Sequence, residues 1–131
     1  MMGRRRTSDL LTAVRNRDTP ALSALVAPDV SFHSPVASYR GREVVVDLLE
    51  TIGGVLDDVR PVRRLDASDE RVTFLAARVG DDEADGVLTE VLDADGRIGE
   101  LQLLLRPLPV LLAAVERMGA ALAAAPMAGA R

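Results

Sequence analysis

Asp93-Ala94-Asp95-Gly96-Arg97-Ile98-Gly99-Glu100-Leu101-Gln102-Leu103-Leu104-Leu105-Arg106-Pro107-Leu108 is the stretch on which the architecture turns. It holds an acidic turn, a nearly continuous apolar strand, and a proline that stops the strand and opens a helix. Asp95-Gly96 supplies the positive φ that a hairpin turn needs. Leu101-Gln102-Leu103-Leu104-Leu105 has the composition of a strand covered on both faces, so it belongs at the centre of a sheet.

Upstream, Ala84 to Leu92 is the other arm of this hairpin. Arg71 to Val79 precedes it across the turn Gly80-Asp81-Asp82-Glu83. Val59 to Leu65 comes before that, and its Arg60, Arg63 and Arg64 mark a partly exposed edge. Downstream, Leu108, Leu111, Leu112, Val115, Met118 and Leu122 recur at helical spacing. Towards the N-terminus, Ser8 fits the N-cap of a first helix that carries Leu10, Leu11 and Val14. Pro20 at a first helical position opens a second helix over Ala21 to Ala27, which Pro28-Asp29 ends. Val30 to Ser34 alternates as a short strand stopped by Pro35. A loop through Tyr39 and Gly41 leads to a third helix with the stripe Val44, Val45, Leu48, Leu49 and Ile52, its end weakened by Gly53-Gly54. Helices and strands segregated in this order predict an α+β fold. A curved antiparallel sheet wraps three N-terminal helices into a cone with an internal pocket, and a C-terminal helix closes the chain.

Composition narrows the chemistry. At 131 residues the chain suits one domain, expected over 8–125 with flexible termini at 1–7 and 126–131. It has no cysteine and one histidine, His33, which excludes thiolate chemistry and a multi-histidine metal site within one chain. A net charge of −4 and three aromatic residues count against nucleic acid. The apolar tail from Leu108 to Ala125 is interrupted by Glu116 and Arg117, which counts against a membrane span. No signal peptide is evident, so a cytoplasmic protein is expected. No Gly-rich phosphate cradle or ligand cluster occurs, and no cofactor or metal is expected.

The element order resembles the nuclear-transport-factor-2-like superfamily, and within it the SnoaL-like branch of small bacterial proteins. The resemblance rests on the Asp18-to-Pro35 spacing, Gly41 before the third helix, and Asp95-Gly96-Arg97-Ile98 before the long strand. It implies a cone-shaped fold with an apolar pocket and a homodimer packed through the outer face of the sheet. By the same resemblance, the ketosteroid isomerase pattern wants a carboxylate where Ser34 stands, a tyrosine at Leu10 and a protonated aspartate at Leu88. Limonene-type epoxide hydrolases want an aspartate where Leu101, Gln102 and Leu103 fall. SnoaL-type cyclases pair an aspartate with a histidine, and only His33 exists. Each acid–base mechanism is therefore disfavoured, since each needs titratable groups within hydrogen-bond reach.

Two residues remain as candidates for chemistry. His33 is the one side chain that titrates near neutrality unaided. Against it, alternation lets only one of His33 and Ser34 face inward, and a strand-end histidine usually bonds backbone or faces solvent. Glu90 falls between Leu88 and Leu92 on one strand face, where a carboxylate would be desolvated or else pair with an arginine such as Arg78. Leu10, Val14, Phe32, Ser34, Tyr39, Phe74, Leu88 and Leu103 are the expected pocket lining. Three readings follow. The first is a domain that binds a small apolar molecule. The second is a lyase, isomerase or cyclase using Glu90 with His33, and the third is a dimerisation or accessory module. The second requires Glu90 and His33 to converge on one cavity, and the third requires that no enclosed cavity exist.

Overall fold

In the computed structural model, which describes residues 9–124, the elements run α1 (Asp9–Arg15), α2 (Thr19–Leu25), β1 (Val26–His33), β2 (Ser38–Arg40), α3 (Arg42–Val55), β3 (Asp57–Asp66), β4 (Glu70–Val79), β5 (Asp82–Leu92), β6 (Ile98–Arg106) and α4 (Leu108–Ala124). The expected frayed ends and the Ser8 cap lie outside the described residues. Asp93 organises the hairpin between β5 and β6. Its Oδ1 accepts from the backbone N–H of Asp95 and of Arg97 at 2.9 and 3.0 Å, and Gly96 takes a φ of 82°. Both the aspartate and the glycine are thus required by the turn.

The strands form one six-stranded sheet in the order β2-β1-β6-β5-β4-β3. The α+β class holds, with one refinement: the sheet is mixed, because β1 runs parallel to β6 while its other pairs are antiparallel. Strand alternation divides the sheet into two faces. Val30, Phe32, Leu75, Leu88, Leu101 and Leu103 point to the concave face and are buried in the core between the sheet and the helices. Val72, Phe74, Val87, Val91 and Leu104 point to the convex face, which no helix covers among the described residues. Strand β6 is central as expected, yet it is covered on one face only, and Leu104 is 44% exposed. Register shifts in β3, between Asp57 and Arg60 and between Pro61 and Arg63, are the bulges that bend this edge.

The N-terminal third departs furthest from expectation. Helix α2 ends at Leu25, and β1 begins at Val26 instead of Val30. Val26 and Ala27 are sealed in the core, and Val26 pairs with Ile98. Pro28 and Asp29 sit in the register shift between Val26 and Ser31, where a proline costs no ladder hydrogen bond. Strand β2, read from sequence as a loop, pairs Tyr39 with Phe32. Gly41, at a φ of 102°, then turns the chain from β2 into α3 and donates its N–H to the Val30 carbonyl at 2.8 Å.

Helix α3 continues through Gly53-Gly54 to Val55. Gly53 is there because α1 crosses close by: a Cβ at this position would stand 2.0 Å from the Val14 carbonyl oxygen. At Gly54 an added Cβ would meet only the guanidinium end of Arg17, at 3.0 Å. The two glycines therefore differ in kind. Gly53→Ala is expected to destabilise by about 1–3 kcal/mol despite alanine's better helix propensity. Gly54→Ala is expected to be neutral or to stabilise by up to about 1 kcal/mol. Urea unfolding of both variants checks the pair.

Candidate functional site

The sequence places apolar residues on α3 at Leu48, Ile52 and Val55, four and three residues apart, so they share one helical face. The concave face of β6 presents Leu103 and Leu105 towards them. Helix α4 crosses the gap with Leu111, Ala114, Val115, Met118 and Leu122, and the end of β1 contributes Phe32, Ser34, Pro35 and Val36. Together with Leu56, Tyr39 and Gly119 these residues line a partly open cavity of about 250 Å³. The closing helix thus walls the space without filling it.

Four expected lining residues are present: Phe32, Ser34, Tyr39 and Leu103. The other four stand elsewhere. Leu10 and Val14 are buried in the core under α1, and Leu88 is buried in the sheet opposite Leu103. Phe74 faces the convex side, one residue out of phase with buried Thr73 and Leu75, and the Arg63 guanidinium lies 4.4 Å from its ring centroid. The run Val72 to Ala77 is apolar at nearly every position, so its sequence gives no sign of which set faces inward. The α4 and α3 residues were legible as stripes, but a stripe does not reveal which of its members border a void.

Seventeen residues line the cavity, and only Ser34 and Tyr39 among them carry polar side chains. The Ser34 hydroxyl is occupied by its own turn. It donates to the Ala37 carbonyl at 3.1 Å and accepts from the N–H of Val36 and Ala37 at 3.3 and 3.1 Å. Tyr39 is half-buried and stacks on Phe32, with ring centroids 6.3 Å apart and planes 26° apart.

His33 and Glu90 are not brought together. His33 adjoins buried Phe32 and so faces the convex side, whereas Glu90 is buried on the concave side, 3% exposed. Neither lines the cavity. The proposed pair is therefore excluded by strand alternation itself. His33 forms a hydrogen-bonded chain instead: Nδ1 lies 2.8 Å from Ser38 Oγ and Nε2 lies 3.1 Å from Glu100 Oε2. This connectivity resembles that of a nucleophile, base and orienting group. It sits, however, on the convex strand surface with the His33 and Glu100 side chains 37% and 57% exposed, and it reads as a cross-tie among β2, β1 and β6.

Glu90 stands opposite Arg71 in register, not beside Arg78, which pairs with Glu83 at 3.5 Å. Arg71 is itself only 9% exposed and donates from Nε to Asp66 Oδ1 at 2.7 Å. Buried Thr73 lies between Arg71 and the apolar part of β4, and Arg64 Nε is 3.5 Å from its hydroxyl. The concave face is thus polar at the Arg71 and Glu90 end and apolar at the cavity end. Among the described residues, no group of three or more His, Asp or Glu side chains is placed to hold a metal ion, and no helix is long and apolar enough to cross a membrane.

Comparison with known proteins agrees with this architecture. A structure of a bacterial protein with a cystatin-like fold from Silicibacter pomeroyi superposes with a TM-score of 0.86 at 25% identity, over 90% of this chain and 85% of that one. A steroid delta-isomerase from Pseudomonas aeruginosa superposes with a TM-score of 0.83 at 34% identity, over 89% and 88% of the two chains. No curated protein matches. The model of the SnoaL-like domain matches residues 7–98, and with the fold, the cavity and the isomerase relative in agreement, the chain belongs to the SnoaL-like family.

Proposed function

We propose that this protein binds a compact apolar small molecule in the cavity between α3, β6 and α4, without catalysing proton transfer on it. The observation that carries this reading is the lining itself, apolar at fifteen of its seventeen positions. Acid–base catalysis needs a group that exchanges protons near working pH within hydrogen-bond reach of the ligand. The two polar side chains of the lining, Ser34, whose hydroxyl is held in its turn, and Tyr39, are neither carboxylate nor imidazole. The isomerase relative makes a flat polycyclic ligand the natural comparison. The three positions where that chemistry would be sought are Ser34, Leu10 and Leu88, and none carries an ionisable group.

Size limits the ligand further. A cavity of about 250 Å³ is just below the ~300–1,000 Å³ of ordinary small-molecule pockets. It suits a molecule smaller than a steroid, and a steroid would require α4 to move outward. We further expect a cytoplasmic homodimer joined through the convex sheet face, where Val72, Phe74, Val87, Val91 and Leu104 form an aliphatic and aromatic surface with no helix over it.

The fluorescent apolar reporter N-phenyl-1-naphthylamine is expected to bind with an affinity on the order of micromolar. At saturation it should raise the Tm by several degrees. An added Cβ at Gly119 meets nothing within 4 Å, so Gly119→Leu has room to fill the cavity from α4. This variant should weaken the reporter at least tenfold while keeping or raising the Tm, because glycine is replaced inside a helix. A 5-ene-3-ketosteroid should show no enzyme-dependent growth of conjugated-enone absorbance. Measurable turnover would overturn the non-catalytic reading, and absence of reporter binding would overturn the binding reading.

A further inference from the structure

The two polar side chains of the cavity differ in what they have left to offer a ligand. The Ser34 hydroxyl already donates one hydrogen bond and accepts two within its turn. Tyr39 lines the same end of the cavity, and among the described residues its hydroxyl has no hydrogen-bond partner. Its ring is fixed on both counts that matter. It stacks on Phe32, which is 1% exposed, and its backbone is paired to Phe32 between β1 and β2. A phenol on a rigid strand, beside an otherwise hydrocarbon space, is a preorganised single-point contact.

We infer that Tyr39 selects a ligand bearing one oxygen at one end, a monoketone or mono-alcohol of compact cyclic hydrocarbon, oriented with its oxygen towards the β1–β2 end and its hydrocarbon towards α4. A phenol both donates and accepts, so it serves a carbonyl or a hydroxyl equally. A second polar group on the ligand would be buried against Leu48, Ile52, Met118 or Leu122 without a partner, and each such group is costly. The lining therefore discriminates in two directions: it favours one oxygen over none, and one over two. Tyr39 acts here as a specificity-determining residue, and the inference rests on the apolar-binding reading above.

The test measures displacement of N-phenyl-1-naphthylamine by camphor, a bicyclic monoketone, and by camphene, a hydrocarbon of similar size, in the native protein and in Tyr39→Phe. Phenylalanine keeps the ring stacked on Phe32, so the variant folds with the cavity intact, which the reporter's own affinity verifies. The native protein is expected to prefer camphor, and Tyr39→Phe to lower that preference by roughly 3- to 10-fold by weakening camphor alone. A preference unchanged in Tyr39→Phe, with both compounds still binding, overturns the role of Tyr39 and leaves the binding reading standing. Failure of the reporter and both compounds to bind the native protein overturns the two together.

Discussion

The parallel pairing of β1 with β6 is the constraint on which the rest of the structure depends. A parallel pair cannot be joined by a tight turn, so the chain between them must travel away and return. Here the excursion contains α3 and the meander β3–β4–β5. Phe32 and Leu101 face each other in this pair and are 1% and 0% exposed, so the seam is also the centre of the core. At one end of this seam Leu103, Leu105 and the Ser34-Pro35 turn border the cavity that α3 and α4 wall from the other side.

This arrangement separates two kinds of chemistry on one concave surface. Arg71, Thr73 and Glu90 form the buried polar end, where charged groups hold the edge of the sheet together. The cavity end has hydrocarbon walls. Burying charge is tolerable when it is paired and hydrogen-bonded, and it then fixes geometry more than it adds stability. Keeping those groups away from the cavity leaves a ligand with little but apolar contact and a single phenol. A fold of this kind supports many activities, and the side chains at the site must decide among them.

The region matched by the family model ends at residue 98, where β6 begins. Eight of the seventeen lining residues, from Leu103 to Leu122, lie beyond it. The part of the chain that the family model matches therefore stops short of much of the wall that lines the cavity. Helix α4 combines an inward stripe with exposed leucines, Leu108 at 63% and Leu112 at 57%, on its other side. It packs on β4, β5 and β6, whereas α3, with six buried side chains, packs on β1 and β2 and against the other helices.

By itself the sequence determined the element order from α3 onward and the acidic hairpin before β6. These are local matters: Asp93 and Gly96 act within their own turn, and apolar spacing declares a helix or a strand. Phe32, Ser34 and Leu103 were legible for the same reason, since strand alternation turns them inward, whereas Tyr39 was read in a loop. Tertiary structure alone decided that β1 begins at Val26 and lies parallel to β6, because that depends on Ile98, seventy-two positions away. It alone turned Phe74 outward, since a nearly continuous apolar run has no phase of its own until a neighbouring strand fixes one. It alone left a void under α4, because a cavity is a property of how stripes from distant elements fail to meet, and no single stripe records that.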